Sequence, residues 1–247
     1  MKKLILLSVS VLFLSCQNNN DQLTADQVID KAIEAAGGEK YEKASVKFEF
    51  RNKTYSSSRK DGLYEFTRTQ IDSSGAEVKD VLNNDGFKRY KNGQEQTLPD
   101  SLVTAYSESV NSVHYFVQLP YGLNDPAVIR QLKGVDTIKD KSYYQVQVTF
   151  KQEGGGADHE DIYMYWVNKE DFNVDYLAYR FYVNDGGIRF RAAVDPRTKK
   201  GTRFVDYINY KTNDLDTPLT ELDDLYEAGK LKKVSEIRNK ILKVEVN

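Results

Sequence analysis

Apolar positions recur along this chain with two different periods, and each change of period marks a boundary. Val28, Ile29, Ala32, Ile33 and Ala36 fall on one stripe of a helix. Thr24-Ala25-Asp26-Gln27 reads as a capping box ahead of them, and Gly37-Gly38 supplies a stop. The pattern predicts an amphipathic helix of about three turns. From Ser45 the period falls to two: Val46, Phe48 and Phe50 alternate with Lys47, Glu49 and Arg51, as in a half-buried strand. Residues 63–68 and 77–82 repeat that alternation, and Asn84-Asp85-Gly86 and Lys91-Asn92-Gly93 are turn signals around the strand 87–90. Hairpins, not strand–helix–strand crossovers, are expected.

Between Pro99 and Gln118 the helical period returns, carried by Leu102, Val103, Tyr106, Val110, Val113 and Val117, and Pro99 suits a helix start. Leu119-Pro120-Tyr121-Gly122-Leu123 reads as an apolar loop lying on the sheet. The second half carries the strongest strand signals: 143–150, 161–167, 175–183, 188–191 and 203–210, with turns at 168–171 and 184–187. Strands at such regular spacing predict a sandwich or barrel. Two of them are apolar on both faces. In 162–167, Ile162, Met164 and Trp166 point one way, and Tyr163, Tyr165 and Val167 the other. An antiparallel strand with one wet face would alternate cleanly, so helices, a second sheet or a ligand must cover the second face. Leu222, Leu225, Tyr226 and Leu231 give the tail a near-helical spacing, with Lys-rich sequence after it. No linker after residue 22 divides the chain, so residues 23–247 are expected to form a single domain.

The N-terminus has a different logic. Lys2-Lys3 precedes an apolar run from Leu4 to Leu14, too short to span a bilayer but suited to a secretory signal over residues 1–15. Phe13-Leu14-Ser15-Cys16 resembles the bacterial lipobox, with Phe13 where Leu is usual. The resemblance implies a lipid on the sulfur of Cys16, a membrane anchor that needs no spanning segment. Residues 16–22 then form a polar tether expected to be disordered.

Composition narrows the function classes. Without residues 1–15 the chain carries 33 basic and 37 acidic residues, a mild and mixed charge that argues against nucleic acid as a partner. Cys16 is the sole cysteine, so its acylation excludes disulfides and thiol-based metal or redox sites. Two histidines leave little for imidazole chemistry, whereas 17 Tyr and 11 Phe are an aromatic surplus.

Each candidate for chemistry has a plainer alternative. Asp158-His159-Glu160-Asp161 joins His to carboxylates, but adjacent residues point apart and Gly154-Gly155-Gly156 precedes them, so a solvated hairpin loop is the expectation and no metal is expected. His114 would have to serve any Ser-His-Asp arrangement; no Gly-x-Ser-x-Gly elbow exists, and Ser107, Ser109 and Ser112 fall on the mid-chain helix. Asp223-Asp224 and Glu170-Asp171 read as solvated carboxylates, and no catalytic residue or cofactor is expected. Arg189 and Arg191 share a strand face and suit an anionic head group, although pairing with Asp or Glu is the commoner fate. Tyr144, Tyr163, Tyr165, Trp166, Tyr179, Phe181 and Phe190 are either core or the lining of a ligand cavity. Each buried tyrosine hydroxyl needs a partner, and rings with polar tips suit a cavity that meets water at its rim.

The order helix, Gly37-Gly38, antiparallel strands, mid-chain helix and further strands resembles the LolA-like fold. Residues 28–38 and 204–210 are similar to uncharacterised Bacteroidota lipoproteins of that group. The resemblance implies a mainly β (α+β) fold: an antiparallel, strongly curved, unclosed β-barrel with the N-terminal and mid-chain helices covering its mouth. It further implies a hydrophobic cavity for acyl chains or another apolar ligand. The expectation is therefore a monomeric, non-catalytic lipoprotein, anchored to a bacterial membrane (the outer membrane, periplasmic or surface-facing). It would hold a hydrophobic or lipid ligand. The alternatives are a cell-envelope protein-interaction module with a filled core and, more remotely, a hydrolase with dispersed catalytic residues. Asp100-Ser101-Leu102 and Asp136-Thr137-Ile138 also match the short acceptor pattern of Bacteroidota O-glycosylation.

Overall fold

The computed structural model describes residues 23–154, 159–183 and 185–246. The signal segment, Cys16 with its lipobox and the tether lie outside the described residues, as does Asp158.

Helix α1 spans Ala25–Ala36 and begins as its sequence dictates: the Gln27 amide donates to Thr24 Oγ1 (3.2 Å) and the Thr24 amide to Gln27 Oε1 (2.9 Å). Its stripe of Val28, Ile29, Ala32 and Ala36 is buried. The helix stops at Gly37, whose φ of 132° only glycine adopts readily. A Cβ there would lie 2.8 Å from the Gly201 carbonyl oxygen, so the stop also lets two segments touch.

The strands form two seven-stranded sheets, antiparallel throughout. The first contains β1 (Ala44–Phe50), β2 (Lys53–Lys60), β3 (Leu63–Ile71), β4 (Glu77–Asn83), β5 (Gly86–Lys91) and β6 (Gln94–Gln96) in chain order. The second contains β7 (Val128–Ile138), β8 (Lys141–Phe150), β9 (Ile162–Asn168), β10 (Val174–Phe181), β11 (Gly187–Lys199), β12 (Thr202–Lys211) and β13 (Lys232–Ile237). The last strand, β14 (Lys240–Val246), leaves the second sheet and pairs with β1 in the first, giving the orders β14-β1-β2-β3-β4-β5-β6 and β13-β12-β11-β10-β9-β8-β7. The crossing is fastened where the Asn239 amide donates to Asp206 Oδ1 (2.9 Å). Among the described residues the two sheets share no strand pairing, so the barrel is unclosed, as the fold class foresaw.

Helices fill the space between. α2 (Asp100–Gln118) rests on β3, β4 and β5 and reaches β12 of the other sheet. α1 packs on β7, β9 and β12. The loop after α2 lies as its sequence predicted, with Leu119 and Leu123 buried in the same cluster as α1. On the opposite side of the second sheet a 3-10 turn (Leu219–Glu221) and α3 (Leu222–Glu227) cover Met164, Trp166 and Phe190. Both faces of β9 are thus covered, and by helices. The helical tail is shorter than its apolar spacing suggested, and the Lys-rich sequence beyond it forms β13 and β14.

Among the described residues no helix is long and apolar enough to cross a membrane.

Candidate functional site

A cavity of about 370 Å³ opens between the second sheet and the last turns of α2. Cross-strand register builds its floor. Tyr179 on β10 lies directly opposite Tyr163 on β9 and Arg189 on β11, and Arg191 lies opposite Asn209 on β12. Residues opposite one another share a face, so these side chains all point toward α2. Tyr163 and Tyr179 stack with centroids 5.5 Å apart. The helix closes the other side with Ser112, Val113, Phe116 and Val117, spaced to fall on one stripe, and Phe50 and Arg51 add the edge of the first sheet. Phe181 and Val183 form the outer rim, Ile237 and Asn239 the far end.

The polar groups are concentrated on β11. Arg191 is 7% exposed, its Nη2 donates to the Tyr179 hydroxyl (2.8 Å), and its guanidinium lies 3.7 Å from the Phe116 ring centroid. Its Nε has no hydrogen-bond partner among the described residues. Arg189 sits nearer the rim, 5.0 Å from the Phe181 centroid, and donates to the Ile188 carbonyl (3.0 Å). Asp161 also lines the cavity, and so does Tyr207, whose hydroxyl is pushed up to about 12 by burial.

Seven aromatic residues were candidates, and the fold distributes them over two faces. Tyr163, Tyr179 and Phe181 line the cavity. Tyr165 shares their face but is sealed, its hydroxyl 2.6 Å from that of Tyr115 on α2, and burial holds its pKa well above the usual range. Tyr144 is half-buried on that face and stacks on Phe172 (6.3 Å). Trp166 and Phe190 point to the opposite side of the sheet: Trp166 Nε1 donates to Asp223 Oδ2 (2.9 Å), and Phe190 stacks on Tyr226 (5.0 Å). Neither reaches the cavity. Buried tyrosine hydroxyls away from the cavity are also partnered. Tyr41 donates to the Arg203 carbonyl (2.5 Å) and Tyr143 to Asp175 (3.2 Å), so buried tyrosines here find protein partners. Phe50, Val113, Phe116 and Tyr207 were absent from the candidate set; the 112, 113, 116, 117 stripe on α2 was the signal for Phe116.

His114 faces the first sheet instead of the cavity. It is fully buried, its Nε2 lies 3.2 Å from the Thr67 carbonyl, and it stacks on Phe66 (4.5 Å). Burial lowers its pKa to about 4, which keeps it neutral. Ser109 accepts a hydrogen bond from Arg68 (2.7 Å), a structural contact. Asp223, read from sequence as solvated, is 1% exposed, and burial raises its carboxyl to about 6. Among the described residues no group of three or more His, Cys, Asp or Glu is arranged to hold a metal.

The model of a family of unknown function, DUF6503, matches residues 2–239. The fold is similar to that of a LolA superfamily protein from Nitrosomonas europaea: TM-score 0.50, 11% identity, 92% of this chain and 94% of that one covered. A DUF1329 family protein from Desulfovibrio piger (TM-score 0.47, 10% identity, 92% and 94% covered) is less similar. So is the Mycobacterium tuberculosis lipoprotein LppX (TM-score 0.30, 12% identity, 66% and 89% covered). Neither of these two is close enough to bear on the fold. No curated protein matches the chain.

Proposed function

Because the chain belongs to the family of unknown function DUF6503, its role has to be read from its own site, and we propose that it is an exported, non-catalytic lipoprotein that binds a hydrophobic ligand. The open, aromatic-lined cavity between α2 and β9–β12 carries this reading. At about 370 Å³ it falls within the roughly 300–1,000 Å³ of small-molecule sites. Apolar walls with a few convergent polar groups are the pattern such sites share. A LolA-like scaffold supports it further, since an unclosed barrel leaves an interior that helices fill only in part.

In this reading residues 1–15 are removed, a lipid on Cys16 holds the protein to a bacterial outer membrane, and residues 23–247 act as one domain at the end of the 16–22 tether. Native mass spectrometry of protein extracted from membranes tests anchor and cargo together. The expected spectrum shows a start at an acylated Cys16 and one further small molecule per chain. A chain that starts elsewhere contradicts the anchor, and a chain that carries no ligand and takes none up after delipidation contradicts the binding role.

A second reading, a protein-interaction module, draws on the exposed Tyr182, Val183 and Leu215 beside the cavity rim. A stoichiometric protein that co-purifies and is lost on mutating these residues would favour it.

A further inference from the structure

The proposed function leaves the chemical class of the ligand open, and the cavity's charges narrow it. Arg51, Arg189 and Arg191 line the space together with Asp161, so the charged lining among the described residues carries an excess of two positive charges. Arg191 is the best placed. It is held over the Phe116 ring and hydrogen-bonded through Nη2 to Tyr179, which orders the planar fork before any ligand arrives. A guanidinium is weakly hydrated and matches a carboxylate or phosphate with two parallel N–H donors. Arg189 stands two residues along the same strand, on the same face and nearer the rim, over Phe181. Around this cationic ridge the walls are apolar: Val113, Phe116 and Val117 on one side, Tyr163 and Tyr179 on the other.

The volume limits the size of the occupant. About 370 Å³ lies near the lower end of the roughly 300–1,000 Å³ of small-molecule sites. That size suits one chain of moderate length better than the several chains of a lipidated protein terminus.

We infer that the cavity selects a single-chain anionic amphiphile, with its acid group on Arg191 and Arg189 and its apolar chain between α2 and the β9–β10 aromatic face. This rests on the binding reading above and adds the charge and the chain number of the ligand.

The test is a titration of delipidated protein at pH 8 with four probes: dodecanoate, dodecanol, dodecylamine and acetate. Dodecanoate is expected to bind at least tenfold more tightly than dodecanol, the gain of a hydrogen bond to a charged partner over a neutral one. Arg191→Gln and Arg189→Gln should each narrow that gap by weakening dodecanoate more than dodecanol. Equal affinity for the acid and the alcohol, or tighter binding of the amine, overturns the inference and leaves the binding role standing. A gap that persists in the folded double variant overturns the assignment to these arginines. Acetate competing as well as dodecanoate would mean a free-anion site and also overturn it. Binding of none of the twelve-carbon probes defeats the binding role itself. The wild-type comparison decides the question even where a variant fails to fold.

Discussion

The two sheets have seven strands each and differ in what they bury. In the second, β9 is covered on both sides: Tyr163, Tyr165 and Val167 meet α1 and α2, while Met164 and Trp166 meet α3. In the first, β4 alternates, with Val78, Asp80 and Leu82 turned in and Glu77 and Lys79 left in water. Its inner face is also partly ionic. Asp80 lies directly between Arg68 on β3 and Arg89 on β5, accepting from both (2.6 Å each at the closest atoms) at 1% exposure. Arg68 continues to Ser109, and Arg89 lies 3.6 Å from the Tyr106 ring centroid, so α2 is seated on the first sheet by charge as well as by Phe66, Leu82 and Val110. One helix thus has a polar seat on one sheet and an aromatic one on the other. The cavity opens on the aromatic side, where the fit between helix and sheet is incomplete.

The largest effect should come from the fully covered sheet. Trp166→Ala removes a wholly buried ring and leaves Asp223 without its indole donor, at an expected cost of about 4–5 kcal/mol in denaturant-induced unfolding. A cost near 1 kcal/mol would mean that α3 is only loosely seated. Next comes the ionic seat: Asp80→Ala strands one buried and one half-buried guanidinium group and should cost about 3–5 kcal/mol. Replacing Arg68, Asp80 and Arg89 together with apolar residues of similar volume should restore most of that loss, because a buried ion cluster often contributes little net stability. If the triple variant is as unstable as the single one, charge in the first sheet has a role the comparison does not capture.

A smaller effect depends on pH. Burial raises the Asp223 carboxyl from its ordinary value to about 6. A carboxyl raised in the folded state favours the protonated form, so its stabilising contribution is full below about pH 4 and is lost as pH rises through 6. Wild-type stability should therefore fall between pH 4 and 7 by as much as about 3 kcal/mol from this group, with Asp136 the neighbouring charge. Asp223→Asn, which keeps an acceptor for Trp166, should flatten that slope in urea midpoints measured across the range; an unchanged slope would assign it elsewhere. The smallest effect is on the wet face of the first sheet. Lys88→Ala breaks a pair with Glu95 (3.4 Å) in which both side chains are more than half exposed, and should change stability by less than about 1 kcal/mol.

Sequence made the second sheet legible because burial on both faces leaves a continuous apolar run, as in Tyr163-Met164-Tyr165-Trp166-Val167. The same rule hid β2, where Tyr55 is the lone large apolar residue and its neighbours are small hydroxyl side chains, Ser56 meeting Thr67 across the pair (2.6 Å). It hid β13 and β14 as well, edge strands whose lysines keep the border in water. The buried triad left a trace in the phase of the alternation, since Asp80 falls on the inward parity between Val78 and Leu82. The site was half legible. Parity separates Tyr163 from Trp166 within one strand, but only register shows that Tyr163 shares a face with Tyr179 while Phe190, opposite Ala178, does not. Register is set by turns and long-range pairing, so Phe190 could not be sorted from the cavity residues by inspection of its own strand, and parity alone does not tell which face of β9 meets the cavity.

The central claim, that the aromatic side of α2 holds a ligand-sized space, is tested most directly by titrating delipidated protein with a fluorescent acyl probe beside a Val113→Trp variant. Val113 lines the cavity, so the larger ring should occupy it. Saturable one-to-one uptake by the wild type, with at least tenfold weaker uptake by a variant of unchanged circular dichroism and thermal midpoint, is the predicted result. Absence of saturable uptake, or equal uptake by the folded variant, would contradict it.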